Sequence, residues 1–222
     1  ISSNPSIASV DVTGKVLIAG GPGNTVITAK VGNIVADGSL TVQSQGVYQH
    51  APTPVRPADK VISVFSDGYA NIPVSYYNGY WAPYQTTLSA DFSVSNDHVL
   101  NYTEFNFVGI EFSSPAVDAT AMTHLHQDIF LPNTLAANAT FRFELVDLVA
   151  NVTGTVTRNI TPAQSRQWVS FDIPLSGFTG LSKRTNLGQL IFVDVNNNIS
   201  GFYVDNIYFY NDGSAPSVPA TQ

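Results

Sequence analysis

The sequence predicts an all-β protein, and three observations carry that prediction. Apolar and polar residues alternate with a period of two along much of the chain, as in Thr140 to Leu148, and no long stretch shows the 3.6-residue period of an amphipathic helix. Only 11% of the residues are charged, and Gly, Pro, Asn, Ser and Thr fill the gap, a composition suited to short strands joined by turns. Candidate strands follow one another closely between Val61 and Tyr210, at 61–65, 86–92, 105–112, 123–130, 140–148, 154–160, 168–173, 188–195 and 201–210. So many strands with turn residues between them predict an antiparallel β-sandwich of jelly-roll type.

Ahead of that block, residues 1–44 alternate in shorter β-like runs at 7–10, 15–19, 25–31 and 39–42, separated by Gly14, Gly20-Gly21-Pro22-Gly23 and Asp37-Gly38. Residues 45–60 contain Pro52, Pro54 and Pro57 among polar side chains and read as a stiff linker. Residues 61–211 form the main domain, and 212–222 a polar tail. The chain opens on Ile1, so it is expected to be a fragment of something longer.

Bulk chemistry narrows the function. A net charge of −7 with nine scattered basic residues argues against nucleic acid or an anionic membrane as the partner. No apolar run approaches the ~20 residues that span a bilayer, and no signal peptide is present. The absence of cysteine excludes disulfides, thiolate zinc sites and thiol catalysis. A neutral partner fits best.

The stretch Ser75-Tyr76-Tyr77-Asn78-Gly79-Tyr80-Trp81-Ala82-Pro83-Tyr84 is the strongest local signal, with five aromatic residues in ten positions. Asn78-Gly79 and Ala82-Pro83 interrupt any strand, so the rings belong to a loop or a broken strand edge. Exposed aromatic clusters on a rigid scaffold mark binding sites, which makes Tyr76, Tyr77, Tyr80, Trp81 and Tyr84 candidate ligand contacts. Two or three of them covering the end of a core is the competing reading.

Strand parity adds further candidates. Leu125 and Ile129 point one way, while His124, His126 and Asp128 point the other. Phe141, Phe143 and Leu145 form a core stripe opposite Arg142 and Glu144; Val169, Phe171 and Ile173 form another, opposite Trp168, Ser170 and Asp172. If these strands share a sheet, one surface presents His124, His126, Trp168 and several charged groups to a hydroxyl-rich ligand. The His-x-His pair also suits a metal, but no third ligand with suitable spacing is evident.

Catalysis has little to work with. The chain has only Glu104, Glu111 and Glu144, and no Glu-x-Asp-x-x-Glu strand motif, Gly-x-Ser-x-Gly elbow, phosphate loop or His-Glu-x-x-His. No catalytic residue is assigned, although convergence of Asp128, Glu144 and Asp172 would revive a glycoside hydrolase or polysaccharide lyase. A structural adhesin or spacer is a further alternative.

Two resemblances follow from these residues. Ser2-Ser3-Asn4-Pro5-Ser6-Ile7-Ala8-Ser9-Val10-Asp11, with Gly14-Lys15-Val16 and Asn24 to Ala29, resembles the second half of a bacterial immunoglobulin-like domain. Phe65-Ser66-Asp67-Gly68-Tyr69, Asn106 to Glu111, Met122 to Asp128, Gln167 to Leu175 and Tyr203 to Phe209 resemble the jelly-roll carbohydrate-binding modules of bacterial surface glycan-binding proteins and laminarinases, over roughly residues 60–211. The second resemblance implies non-catalytic binding of a β-glucan, with a β-1,3-glucan such as laminarin first, and an extracellular or outer-membrane-surface location. It supplies no sugar-binding residues to carry over.

A structural calcium ion is the last expectation. Asp205 has the parity of Ile207 and Phe209, which sets a carboxylate in the core stripe, where an ionised group needs a partner. Asp67 follows the first strand of the main domain, and in jelly-roll modules that strand lies near the last one. A hard divalent ion would reconcile Asp67 with Asp205, and the resemblance implies such an ion away from the sugar site.

Overall fold

The computed structural model describes residues 1–19, 22–46, 48–94 and 97–216; the turn read at Gly20-Gly21 and residues 217–222 of the expected tail lie outside them. The chain divides into two compact units, Ile1–Gln49 and His50–Gln222. In the first, β1 (Ala8–Val10) pairs with β2 (Val16–Ile18) and β3 (Pro22–Val31) with β4 (Ile34–Gln45), both antiparallel. Buried Thr25 ties this unit's start together, its hydroxyl meeting those of Ser2 and Ser3 and accepting from the Asn4 amide. The immunoglobulin-like reading of this unit rests on the sequence resemblance alone.

The second unit contains β5 (Val61–Phe65), β6 (Leu88–Val94), β7 (Asp97–Thr103), β8 (Phe107–Glu111), β9 (His124–Phe130), β10 (Ala139–Asp147), β11 (Val152–Ile160), β12 (Trp168–Pro174), β13 (Leu187–Asp194) and β14 (Gly201–Tyr210). One sheet has four strands in the order β11-β10-β13-β8; the other has six, β12-β9-β14-β7-β6 with β5 beside the second half of β14. All these pairings are antiparallel, as the alternating pattern requires.

Between the sheets lies a core rich in phenylalanine. Phe141 of β10 meets Phe202 of β14 edge-on at 5.1 Å, and Phe143 meets Phe171 of β12 at 5.8 Å. Such ring pairs add about 0.5–1.5 kcal/mol each beyond the area they bury.

Four features differ from the sequence reading. Strand β7 was not expected, because Asp97, His98 and Asn101 blur its alternation; pairing with β6 and β14 supplies what local pattern lacks. The strands thought to share one face are split, with β9 and β12 in the six-stranded sheet and β10 in the four-stranded one. The surface combining His124, His126 and Trp168 with Arg142 and Glu144 therefore does not exist. Residues 50–60, read as linker, belong to the second unit: the Pro52 carbonyl accepts from Asn206, and the Arg56 guanidinium sits 4.3 Å above the Tyr210 ring. Finally, β14 carries a bulge at Asp205/Asn206, with Asn206 at φ 54. The bulge resets parity, so Val204 and Ile207 both point inward while Asp205 faces out with Tyr208.

Candidate functional site

The outer face of the four-stranded sheet is ordered by its register into rows. Glu111, Gln189, Val146 and Thr153 form one; Gly109, Ile191, Glu144 and Thr155 the next; Phe107, Val193, Arg142 and Thr157 a third. Ionic and amide side chains thus alternate with aliphatic ones on a shallow surface. Arg142 Nε donates to Glu144 Oε1 at 2.6 Å, which holds both planar groups in place on β10.

The aromatic stretch builds the edge of this face. Ser75 N–H donates to the Glu111 carbonyl at 2.7 Å, Glu111 N–H to Tyr76 O at 3.0 Å, and Gly79 N–H to Gly109 O at 3.2 Å. Residues 75–79 therefore run along β8 as an added edge. Asn78 and the left-handed Tyr80 (φ 46) then turn the chain back, the Asn78 side-chain Oδ1 accepting from Tyr80 N–H, and bring Trp81 over β8.

The Trp81 indole rests directly on glycine. A Cβ at Gly109 would lie 2.3 Å from Cη2, 2.7 Å from Cζ2 and 2.9 Å from Cζ3. One ring atom nearest, with its two neighbours slightly farther, is the pattern of approach through the ring face; an approach along the ring edge would leave the neighbours beyond 3 Å. A Cβ at Gly79 would meet Nε1 at 2.5 Å, Cε2 at 2.8 Å and Cδ1 at 3.1 Å. The half-buried indole thus lies against the backbone of two glycines, with Phe107 tilted beside it at 6.2 Å.

A hydrogen-bonded chain flanks the ring. Tyr76 Oη donates to Glu111 Oε2 at 2.7 Å, Gln189 Nε2 donates to the same oxygen at 3.0 Å, and Ser113 Oγ donates to Oε1 at 2.7 Å. The Tyr76 bond, then those of Gln189 and Ser113, hold the Glu111 carboxyl below its ordinary value, so it is ionised at neutral pH. Burial raises the Tyr76 hydroxyl, with Glu111 adding to the shift, so Tyr76 stays protonated and donates.

No family model matches the chain, and no curated protein matches it. Solved structures do. A family 11 carbohydrate-binding module from Clostridium thermocellum, in complex with a β-1,3-1,4-mixed-linked tetrasaccharide, is 16% identical with a TM-score of 0.45, covering 72% of this chain and 97% of that one. A family 30 carbohydrate-binding module of a Clostridium thermocellum cellulosomal cellulase is 13% identical with a TM-score of 0.47, covering 69% and 99%. A family 29 carbohydrate-binding module complexed with cellulohexaose is 12% identical with a TM-score of 0.42, covering 67% and 89%.

The remaining expected residues disperse. Tyr77 turns inward, its ring edge-on to Phe65 at 5.4 Å and its hydroxyl donating to Val64 O, so it lids the core. Tyr80 and Tyr84 are exposed, the Tyr80 hydroxyl 3.0 Å from Ser89 Oγ. Trp168 packs on Phe130 at the outer face of the six-stranded sheet. His124 stacks on Tyr210 at 4.9 Å and His126 on Tyr208 at 4.5 Å, both on that same sheet.

His126 is enclosed rather than presented to a ligand. Its Nδ1 lies 2.9 Å from Asp172 and its Nε2 3.4 Å from Asp128. Burial alone would lower its pKa, but bonds and charge from Asp128 and Asp172 push it up to about 9, which keeps it an imidazolium at neutral pH. Fully buried Asp128 also accepts from Ser170 at 2.5 Å and from Asn206 at 2.9 Å.

The two expected metal ligands fit a cation only in part. Asp205 is buried on the same outer face, and burial, with charge from Asp97, Asp128 and Asp67, pushes its carboxyl up to about 7 despite a bond from the Asn206 amide. Among the described residues no basic side chain pairs with it, and a cation would supply that charge. Asp67, however, is engaged by the His98 amide at 2.9 Å and lies 3.2 Å from His98 Nδ1. Among the described residues, no group of three or more His, Asp or Glu side chains is arranged to hold a metal ion.

Sequence reasoning missed Glu111, Gln189 and Gly109. Parity in Phe107-Val108-Gly109-Ile110-Glu111 would have put Glu111 outward, but nothing local said that β8 lies beside the aromatic stretch.

Proposed function

We propose that this chain binds a neutral polysaccharide without cleaving it, on the outer face of the four-stranded sheet. The observation that carries the reading is the Trp81 indole laid on Gly109 beside the Tyr76–Glu111–Gln189 chain. An aromatic plane stacks on the apolar face of a sugar ring, while fixed carboxylate and amide groups take its hydroxyls. The Arg142–Glu144 pair lies two strands away, about 10 Å at the usual strand spacing, which suits a neighbouring sugar of the same chain. A β-glucan, β-1,3-linked as in laminarin, is the first-choice ligand on the strength of the sequence resemblance, which also supports an extracellular or cell-surface setting. No helix among the described residues is long and apolar enough to cross a membrane.

Geometry also weighs against hydrolysis on this face. Strand spacing and rise place the Glu111 and Glu144 backbones about 12 Å apart. The lowered pKa of Glu111 excludes it from the general-acid role, which needs a raised one. Trp81→Ala should weaken laminarin binding at least tenfold in titration calorimetry while leaving the fold intact, and no reducing ends should appear on prolonged incubation. Unchanged affinity in Trp81→Ala would sink this reading; an unperturbed spacer domain would then be favoured. A structural calcium ion at Asp67 and Asp205 is a separate part of the proposal, supported by the raised Asp205 carboxyl.

A further inference from the structure

We infer that Gly109 and Gly79 are positioning residues for the ligand platform: the missing side chains of β8 and its added edge form a seat that holds the Trp81 indole flat on the sheet. The inference rests on the proposed function and goes beyond it by assigning the ring's orientation to two residues that touch no ligand. The contacts are incompatible with any side chain. At 2.3 Å from Cη2 and 2.5 Å from Nε1, a methyl group at Gly109 or Gly79 falls well inside the closest approach of carbon atoms, and the obstacle is a ring rather than the end of a flexible chain. The ring would have to lift off the sheet.

Neither glycine is required for backbone freedom, since neither has a positive φ among the residues that do. Conformation therefore leaves room for alanine at both positions, and only the indole excludes it. The neighbouring chain restricts the ring's escape. Tyr76, whose hydroxyl interacts with the Trp81 side chain, is anchored to Glu111, and Gln85 Oε1 accepts from the Trp81 amide at 3.1 Å. A ring lying flat turns its second face away from the strands, whereas a lifted ring turns an edge that way, and an edge does not stack on a sugar.

The test uses a Trp168→Phe background, which leaves Trp81 as the single indole of the two. In Gly109→Ala we expect acrylamide quenching of Trp81 fluorescence to rise at least twofold and laminarin affinity to fall at least tenfold, close to the loss in Trp81→Ala. We also expect Gly109→Ala to lower the melting temperature when Trp81 is present and to leave it unchanged in a Trp81→Ala background, because the collision partner is then gone. Should Gly109→Ala not fold alone, the double variant folds and the coupling stands. Unchanged quenching overturns the seat, and raised quenching with affinity retained overturns its role in binding. Loss of binding in Trp81→Ala but not in Gly109→Ala removes this inference and leaves the proposed function; no loss in Trp81→Ala removes both.

Discussion

The two outer faces of the sandwich carry the same kinds of side chain and put them to opposite uses. On the four-stranded sheet, Trp81, Tyr76, Glu111, Arg142 and Glu144 lie at a surface where no group among them is fully buried. On the six-stranded sheet, Tyr208, Tyr210, His126, Asp128 and Asp205 are all buried. The difference comes from what crosses each face. Residues 50–60 and Tyr69 lie over the second: Pro52 O takes an Asn206 bond, Arg56 covers Tyr210, and Tyr69 packs edge-on against Tyr208 at 5.3 Å. A polar stripe facing away from a core is thus either a ligand surface or the floor of a second, polar layer, and a distant segment decides which.

The largest effect that would break this comparison is expected at Asp128. It binds Ser170, Asn206 and His126 at once, so Asp128→Ala leaves a buried imidazolium short of one partner and takes an acceptor from the buried Asn206 amide, which keeps only its bond to Pro52. Removing one member of a buried ionic set costs about 3–5 kcal/mol. Chemical denaturation should show that loss, with laminarin affinity of the folded fraction unchanged. A fall in affinity matching Trp81→Ala would mean the two faces act as one.

This division also marks how far the sequence could be read. Alternation located nine of the ten strands of the second unit, because each strand has one face on the phenylalanine core and period two follows from that. Parity within β9, β10 and β12 was likewise legible: Leu125, Phe141 and Phe171 are buried as expected. Which strands are neighbours was not, since pairing between β9 and β14, or between residues 75–79 and β8, depends on contacts far apart in sequence. The error at Asp205 is of the same kind. A one-residue bulge at Asn206 inverts every later parity, and the one local hint of it is Asp205-Asn206, residue types that tolerate the left-handed backbone Asn206 adopts.

An effect of comparable size, of the order of a few kcal/mol for each group by linkage, is expected from pH. The His126 pKa is raised to about 9 in the folded chain, so its contribution is complete below about 6.5, the unfolded value, and is lost as pH rises towards 9. The Asp205 carboxyl is raised to about 7, so the folded state prefers it protonated; that contribution is complete below its ordinary value of 3.8 and is lost as pH rises through 7. Both act in the same direction, and above about pH 6, where carboxylates held low such as Glu111 and Asp172 are ionised in both the folded and the unfolded chain, stability in chelator should decline towards pH 9. Calcium bound at Asp205 would favour the ionised form and flatten the part below pH 7. Identical melting curves in calcium and in chelator across that range would rule the ion out, and a flat profile above pH 7 would show that His126 is not held between its two carboxylates.

The smallest effect is expected one residue from both buried acid and histidine. Gln127 lies between His126 and Asp128 on β9 but points into the core; it is fully buried, and neither its Nε2 nor its Oε1 has a hydrogen-bond partner among the described residues. Its neighbours on the outer side are satisfied several times over, so the strand carries paired polarity on one face and unpaired polarity on the other. A buried amide without partners costs about 1–3 kcal/mol. Methionine matches its length and removes both polar atoms, and its flexible thioether adapts to irregular space in a core. Gln127→Met should therefore stabilise the fold by about 1–2 kcal/mol, a rise in melting temperature of roughly 2–8 °C for a domain of this size. The outer network is untouched by the change, so the decline of stability with pH should keep its shape and merely shift upward. A destabilised Gln127→Met would show instead that the amide is bonded inside the core, to a buried water or by a rotation of its own side chain, and that the inner layer of this sandwich has a polar centre of its own.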